Sequence, residues 1–149
     1  MATITYTVTV ASGTNAFSAA NPKFFINGVV SPVLELQEGN TYIFDQSDSS
    51  NNPYRLCFSL TTNGTFTSGG VEYTTGVTKT GSPGTDGKTT IVLPANVAVP
   101  TLFYYDGGTP GTSGLGNVAN TISPTSQATD LFNPAIDDII EEAFERTNI

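Results

Sequence analysis

Short apolar runs separated by turn residues recur through the first 122 residues, and this pattern constrains the fold more than any other feature. The segment TITYTVTV, residues 3–10, alternates apolar side chains with threonines, which is the period-two pattern of a half-buried strand. Further strand candidates follow at short intervals: FFINGVV, PVLEL, NTYIFD, YRLCFSL, VEYTTGV, KTTIVL, TLFYY and NVANTI. Eight to nine short strands without a helical period between them are typical of an all-β sandwich or barrel.

Three dipeptides predict tight turns between these runs. Asn27-Gly28 lies between two apolar runs, and both residue types tolerate positive φ, so we expect a two-residue β-hairpin there. The same signal recurs at Asn63-Gly64 and Asp86-Gly87. The polar segment TKTGSPGTDGK, residues 78–88, is predicted to be a loop.

Composition limits the classes of function. The chain has 149 residues, which fits one domain, and its net charge of −8 argues against a nucleic-acid partner. It contains no histidine, which removes the commonest metal ligand and the Ser-His and Cys-His nucleophile pairs, so we expect a protein that is not an enzyme. No apolar stretch reaches the length of a membrane span, and Cys57 is predicted to be a buried small hydrophobe.

The character of the chain changes after residue 122. Residues 123–129, SPTSQAT, form a predicted linker, and residues 130–149 have the pattern of an amphipathic helix that Asn133 and Pro134 would begin. The apolar stripe of this helix consists of Ile136, Ile139, Ile140, Ala143 and Phe144. We expect the stripe to dock on another subunit, although packing on its own sandwich stays open as the alternative.

Two groups of residues in the β region allow both a structural and a functional interpretation. Asp45, Asp48 and Asn51 could form an oxygen-rich calcium loop, but Asp, Ser and Asn also serve as turn residues, and the turn interpretation is favoured. The tyrosines of the strand runs are predicted to be core or interface rather than a carbohydrate or base platform. They are Tyr42, Tyr54, Tyr73, Tyr104 and Tyr105.

Residues 23–122 resemble a known family. The motifs TYIFDQSD, EYTTGV, GSPG and LFYY, in this order, are similar to the cupredoxin-like domain of virion proteins from marine bacteriophages, especially those of cyanobacteria. The resemblance implies a Greek-key β-sandwich. It also implies that the copper ligands of related domains have been replaced here, because Asn52, Asp106 and Leu115 occupy the matching positions. Blue-copper chemistry needs a thiolate, two imidazoles and a weak axial ligand, so neither copper nor electron transfer is expected, and no cofactor is implied.

A weaker resemblance concerns the C-terminal segment. FNPAIDDIIEEAFERTNI is similar to the opening helix of head-to-tail adaptor proteins of short-tailed phages. Together the two resemblances imply a cupredoxin-like sandwich (residues 1–122), a linker and one C-terminal helix in a non-enzymatic structural protein of the phage particle. Its expected partners are capsid, portal or tail subunits in a multi-copy assembly, without membrane or nucleic acid. The alternative is a surface module that binds glycans or a receptor.

Overall fold

The computed structural model describes residues 2–15, 22–108 and 111–122. The strands in this part of the chain are β1 (Thr3–Ala11), β2 (Lys23–Ile26), β3 (Val29–Val30), β4 (Leu34–Gln37), β5 (Thr41–Gln46), β6 (Leu56–Ser59), β7 (Glu72–Tyr73), β8 (Val77–Thr80), β9 (Gly87–Val92), β10 (Leu102–Asp106) and β11 (Val118–Ile122). Two short 3-10 turns, Ser49–Asn51 and Gly64–Phe66, follow β5 and β6. The predicted all-β character is confirmed for the described residues.

The strands form two mixed sheets. The first sheet has the order β3-β2-β1-β5-β9-β8, and the second has the order β4-β11-β10-β6-β7. Each sheet contains one parallel pair, β1 with β5 and β4 with β11, and its other pairs are antiparallel. Because neighbours in space are often distant in sequence, the chain passes repeatedly from one sheet to the other.

One hydrophobic core lies between the two sheets. Phe44 of the first sheet meets Phe58 of the second edge-on, with ring centroids 5.5 Å apart, and Phe24 and Tyr104 pair at 6.5 Å. These side chains are almost fully buried, and each large apolar side chain contributes about 1.5–3 kcal/mol when removed from water. The core therefore unites the two sheets into one sandwich.

The three turn predictions have different outcomes. The hairpin at Asn27-Gly28 is confirmed, since φ is +50° and +84° there and Ile26 pairs with Val29 across it. The prediction at Asn63-Gly64 is wrong as a two-residue hairpin, because this pair starts a 3-10 turn inside the long β6–β7 connection. The prediction at Asp86-Gly87 is also wrong, because Gly87 is already the first residue of β9.

The polar segment predicted as a loop contains an edge strand. Thr78, Lys79 and Thr80 belong to β8, which pairs with β9 and is exposed along most of its length. An exposed edge strand has no apolar alternation, so its sequence resembles that of a loop. The predicted linker and C-terminal helix lie outside the described residues. Within the described ranges, no helix is long and apolar enough to cross a membrane.

Candidate functional site

The candidate site is the end of β10, where Asp106 occupies one of the positions that the resemblance relates to copper ligands. Its side chain is 1% exposed. The Oδ1 atom accepts hydrogen bonds from the backbone N–H groups of Arg55, at 3.0 Å, and Gly108, at 2.9 Å. The Oδ2 atom accepts a third, from the N–H of Thr112, at 2.8 Å. One carboxylate thus joins the start of β6, the turn after β10 and the loop beyond it.

Close packing accompanies these hydrogen bonds. A Cβ atom on Gly108 would lie 2.6 Å from the carbonyl oxygen of Pro53, so the turn after β10 and the segment before β6 can approach this closely only with glycine at position 108. The peptide bond between Asn52 and Pro53 is cis. We name this group of Asp106, Arg55, Gly108, Thr112 and Pro53 the Asp106 site.

Burial dominates the electrostatics of the Asp106 site. It raises the pKa of the Asp106 carboxyl above its ordinary value, and the three backbone N–H donors oppose this shift without cancelling it. The nearby Arg55 guanidinium donates instead to the carbonyl oxygens of Thr80, Gly81 and Lys88, at 3.2, 2.7 and 2.9 Å. The hydrogen bonds that Asp106 accepts therefore come from backbone amides.

The other two candidate positions have different surroundings. Asn52 is exposed and packs against Gly84, which could not carry a Cβ without lying 2.7 Å from that of Asn52. Leu115 is fully buried in the hydrophobic core. Its carbonyl oxygen accepts from the Phe24 N–H at 3.0 Å and the Ser31 hydroxyl at 2.7 Å. The sequence has no histidine, and no group of three or more Cys, Asp or Glu side chains among the described residues could hold a metal ion.

The residues of the possible calcium loop form turns. Asp45 accepts from the Ser47 N–H at 2.9 Å, and Asp48 accepts from both the N–H and the hydroxyl of Ser50. Asn51 is fully buried and donates to the carbonyl oxygen of Val8 at 2.8 Å, which fixes the segment to β1. Because these polar atoms bind backbone and neighbouring side chains, the structure supports the turn interpretation.

The tyrosines of the strand runs are largely buried. Tyr42 and Tyr104 belong to the core, and their hydroxyls bond to the backbone of Gln37 and Pro32. Tyr105 is also buried, and burial is the main cause that raises its pKa to about 12. Tyr54 and Tyr73 are half-buried and pack on the core. The core interpretation is therefore confirmed for Tyr42 and Tyr104, and none of the five presents a fully exposed ring.

A second polar cluster was not predicted from the sequence. Cys57 and Tyr105 are cross-strand partners of β6 and β10, and the Lys79 Nζ atom lies 3.7 Å from the Cys57 sulfur and 2.5 Å from a Glu72 oxygen. Burial raises the pKa of the Cys57 thiol to about 11, which keeps it protonated and unreactive near neutral pH. Burial of Cys57 agrees with the sequence prediction. Its neighbours Tyr105, Lys79 and Glu72 come from three other strands, so no local motif could have identified them.

No family model, curated protein or solved structure matches the chain. All the acceptor positions described for Asp106 serve the backbone of its own loops, so the arrangement stabilises those loops. The described residues enclose no pocket.

Proposed function

We propose that the protein is a non-enzymatic structural component of a bacteriophage particle, either a decoration or cement protein of the capsid or an accessory module of the head–tail junction. The β-sandwich would be the cupredoxin-like body, and the C-terminal helix would dock it on a neighbouring subunit. The support comes from the motif resemblance across residues 23–122 and from the fold, since two mixed sheets around one core are compatible with a Greek-key sandwich.

The observation that carries the proposal is the Asp106 site. In a copper-bearing relative, the loops at this end of the sandwich would be joined by a metal ion. Here a buried carboxylate joins them through backbone N–H groups of Arg55, Gly108 and Thr112. A domain whose loops are fixed in this way keeps a stable scaffold without redox chemistry, which suits an assembly role.

The helix predicted for residues 130–149 would supply the mode of attachment. Its stripe contains four large apolar side chains, Ile136, Ile139, Ile140 and Phe144, together with Ala143. A helix of about this length is marginal in water on its own, so it needs a surface on which to bury that stripe. A preformed groove on a capsid, portal or tail subunit would provide the surface.

Cosedimentation with phage particles that lack the protein tests this function. We expect the purified full-length chain to bind such particles in a fixed stoichiometry. We also expect the double variant Ile139→Asp, Phe144→Asp to lose binding while its melting temperature stays unchanged. The matched control, Asp138→Asn with Glu142→Gln, changes the polar side of the helix and should bind. Absence of binding by the wild-type chain would refute the proposal.

One observation favours the alternative function, glycan binding. Phe66 is 39% exposed, its ring meets Tyr105 edge-on at 6.4 Å, and the surrounding residues 60–71 carry no charge. An aromatic ring held in place among uncharged polar residues is a surface on which neutral sugars can stack. Binding of host-surface polysaccharide that is abolished by Phe66→Ala, without particle binding, would favour this second function.

A further inference from the structure

The outward face of the first sheet is nearly uniform in chemistry. Side chains alternate along each strand, so the neighbours of the core residues Val8, Phe44 and Ile91 point away from the core. We name the outward residues of β5, β9 and β8, together with those of the part of β1 that pairs with β5, the threonine face. Its members are Thr3, Thr5, Thr7, Thr41, Ile43, Asp45, Thr78, Thr80, Lys88, Thr90 and Val92.

Covering the threonine face with a partner would cost less side-chain conformational entropy than covering an ordinary polar surface. Nine of its eleven members are β-branched, and β-branched side chains have few rotamers to lose when they are covered by a partner. Asp45 and Lys88 are its only charged members, so the face is neutral although the whole chain carries −8. Contact between two copies through these residues would therefore bring no net like charge together.

The two charges are placed for self-recognition. Asp45 and Lys88 lie directly opposite each other on the neighbouring strands β5 and β9. Among the described residues the only ion pair joins Lys79 and Glu72, so Asp45 and Lys88 attract each other across the two strands without forming one. Each charge can therefore also interact with the opposite charge of a partner at the same spacing.

We propose that the threonine face binds the same face of a second copy of this chain. A two-fold axis that lies in the interface and runs between β5 and β9 would place Asp45 of each copy over Lys88 of the other. Such an interface is isologous, because residue i contacts residue j and residue j contacts residue i. It would stack two sheets in the aligned arrangement of β-sandwiches. This self-association does not depend on the virion assignment.

Charge reversal of the two residues tests the proposal in the full-length protein by sedimentation velocity over a range of concentrations. We expect wild type to form a dimer, and we expect Asp45→Lys and Lys88→Asp each to weaken the dimer by about tenfold or more through like-charge contacts. An equimolar mixture of the two variants should restore association, because each lysine then meets an aspartate of the other chain. The matched control Glu35→Lys makes the same charge change on β4 of the other sheet and should dimerise like wild type.

Several outcomes would overturn the proposal. They are a monomeric wild type at all concentrations, a dimer that neither variant weakens, or variants whose mixture stays monomeric. Because Asp45 also accepts the Ser47 N–H, Asp45→Lys could perturb the fold, which thermal melting would show. In that case Lys88→Asp and Thr90→Lys, whose side chains make no such bond to the turn, decide the question through the same loss of association.

Discussion

The end of β10 and the end of β5, with the turn that follows it, contain aspartates in two opposite roles. Asp106 is buried and accepts from N–H groups as far away as Arg55, 51 positions earlier in the chain. Asp45 and Asp48 accept from residues only two positions further on. An aspartate that bonds across the fold stabilises tertiary structure, whereas one that bonds locally shapes a turn, and residue type alone does not distinguish them.

Removal of the Asp106 carboxylate, which accepts hydrogen bonds across the fold, should have the largest effect on stability. Asp106→Ala should lower the free energy of unfolding by about 3 kcal/mol or more, because it leaves three backbone N–H groups without their partner in a closely packed region. Denaturant titration of the variant measures this loss. Asp106→Asn keeps one acceptor oxygen and should fall between Ala and wild type. If Asp106→Ala lost less stability than the variants Asn51→Ala and Asp48→Ala at the end of β5, the distinction between the two regions would be contradicted.

Removal of the buried Asn51 side chain, which follows β5, should cause the second-largest loss of stability. Asn51→Ala removes the donor to the Val8 carbonyl and the acceptor of the Gln46 amide, two buried hydrogen bonds. We expect a loss of about 2 kcal/mol in the free energy of unfolding, measured in the same way. The exposed neighbour Asn52, changed to Ala, is the matched control and should have little effect. Equal effects of the two variants would show that Asn51 does not fix the turn to β1.

The two regions should respond to pH with opposite signs. Burial raises the pKa of Asp106, so the proton-linked part of its contribution to stability is full below the ordinary aspartate pKa, near 3.9, and is lost as pH rises through the raised value. Hydrogen bonds to Ser50 lower the pKa of Asp48, so its contribution is present above the ordinary value and is lost as pH falls through the lowered one. Differences in unfolding free energy between wild type and Asp106→Asn, and between wild type and Asp48→Asn, should therefore change in opposite directions across acidic pH. Parallel pH profiles would contradict this assignment.

The smallest effect is expected at the exposed cap. Asp48 accepts the Ser50 N–H at the start of the 3-10 turn Ser49–Asn51, and water can replace that bond when the side chain is removed. Asp48→Ala should shift the denaturation midpoint less than Asn51→Ala does. A shift equal to that of Asp106→Ala would mean that the local turn is as important as the long-range contacts.

Local patterns explain what the sequence could predict. The alternation in residues 3–10 predicted β1, and the Asn27-Gly28 pair predicted its hairpin, because both signals depend on neighbouring residues only. The edge strand β8 was missed, since an exposed strand with three polar residues in four has no alternation to detect. The Asn63-Gly64 pair has the backbone conformation that its residue types favour, but the chain uses it inside a longer connection.

The site was less predictable than the fold. The resemblance drew attention to Asp106, but its role depends on N–H groups of Arg55 and Thr112, which only the folded sandwich brings together. The pairing of Cys57 with Tyr105 depends in the same way on strand register, and so do the contacts of Lys79 in the first sheet with Cys57 and Glu72 in the second. Register and sheet order are properties of the whole chain, and a single sequence does not display them.

The parallel pairing of β4 with β11 has a consequence for how the protein folds. Leu34 pairs with Ala119, so the second sheet lacks one of its strands until residues 118–122 have left the ribosome. Pairing over such a sequence separation requires a large loop to close first, and folds dominated by such contacts form in milliseconds to seconds rather than microseconds. A nascent chain that ends before β11 would expose the edges of β4 and β10 to other chains. The aggregation risk of this protein should therefore be greatest during synthesis, and slower synthesis just before β11 should increase it.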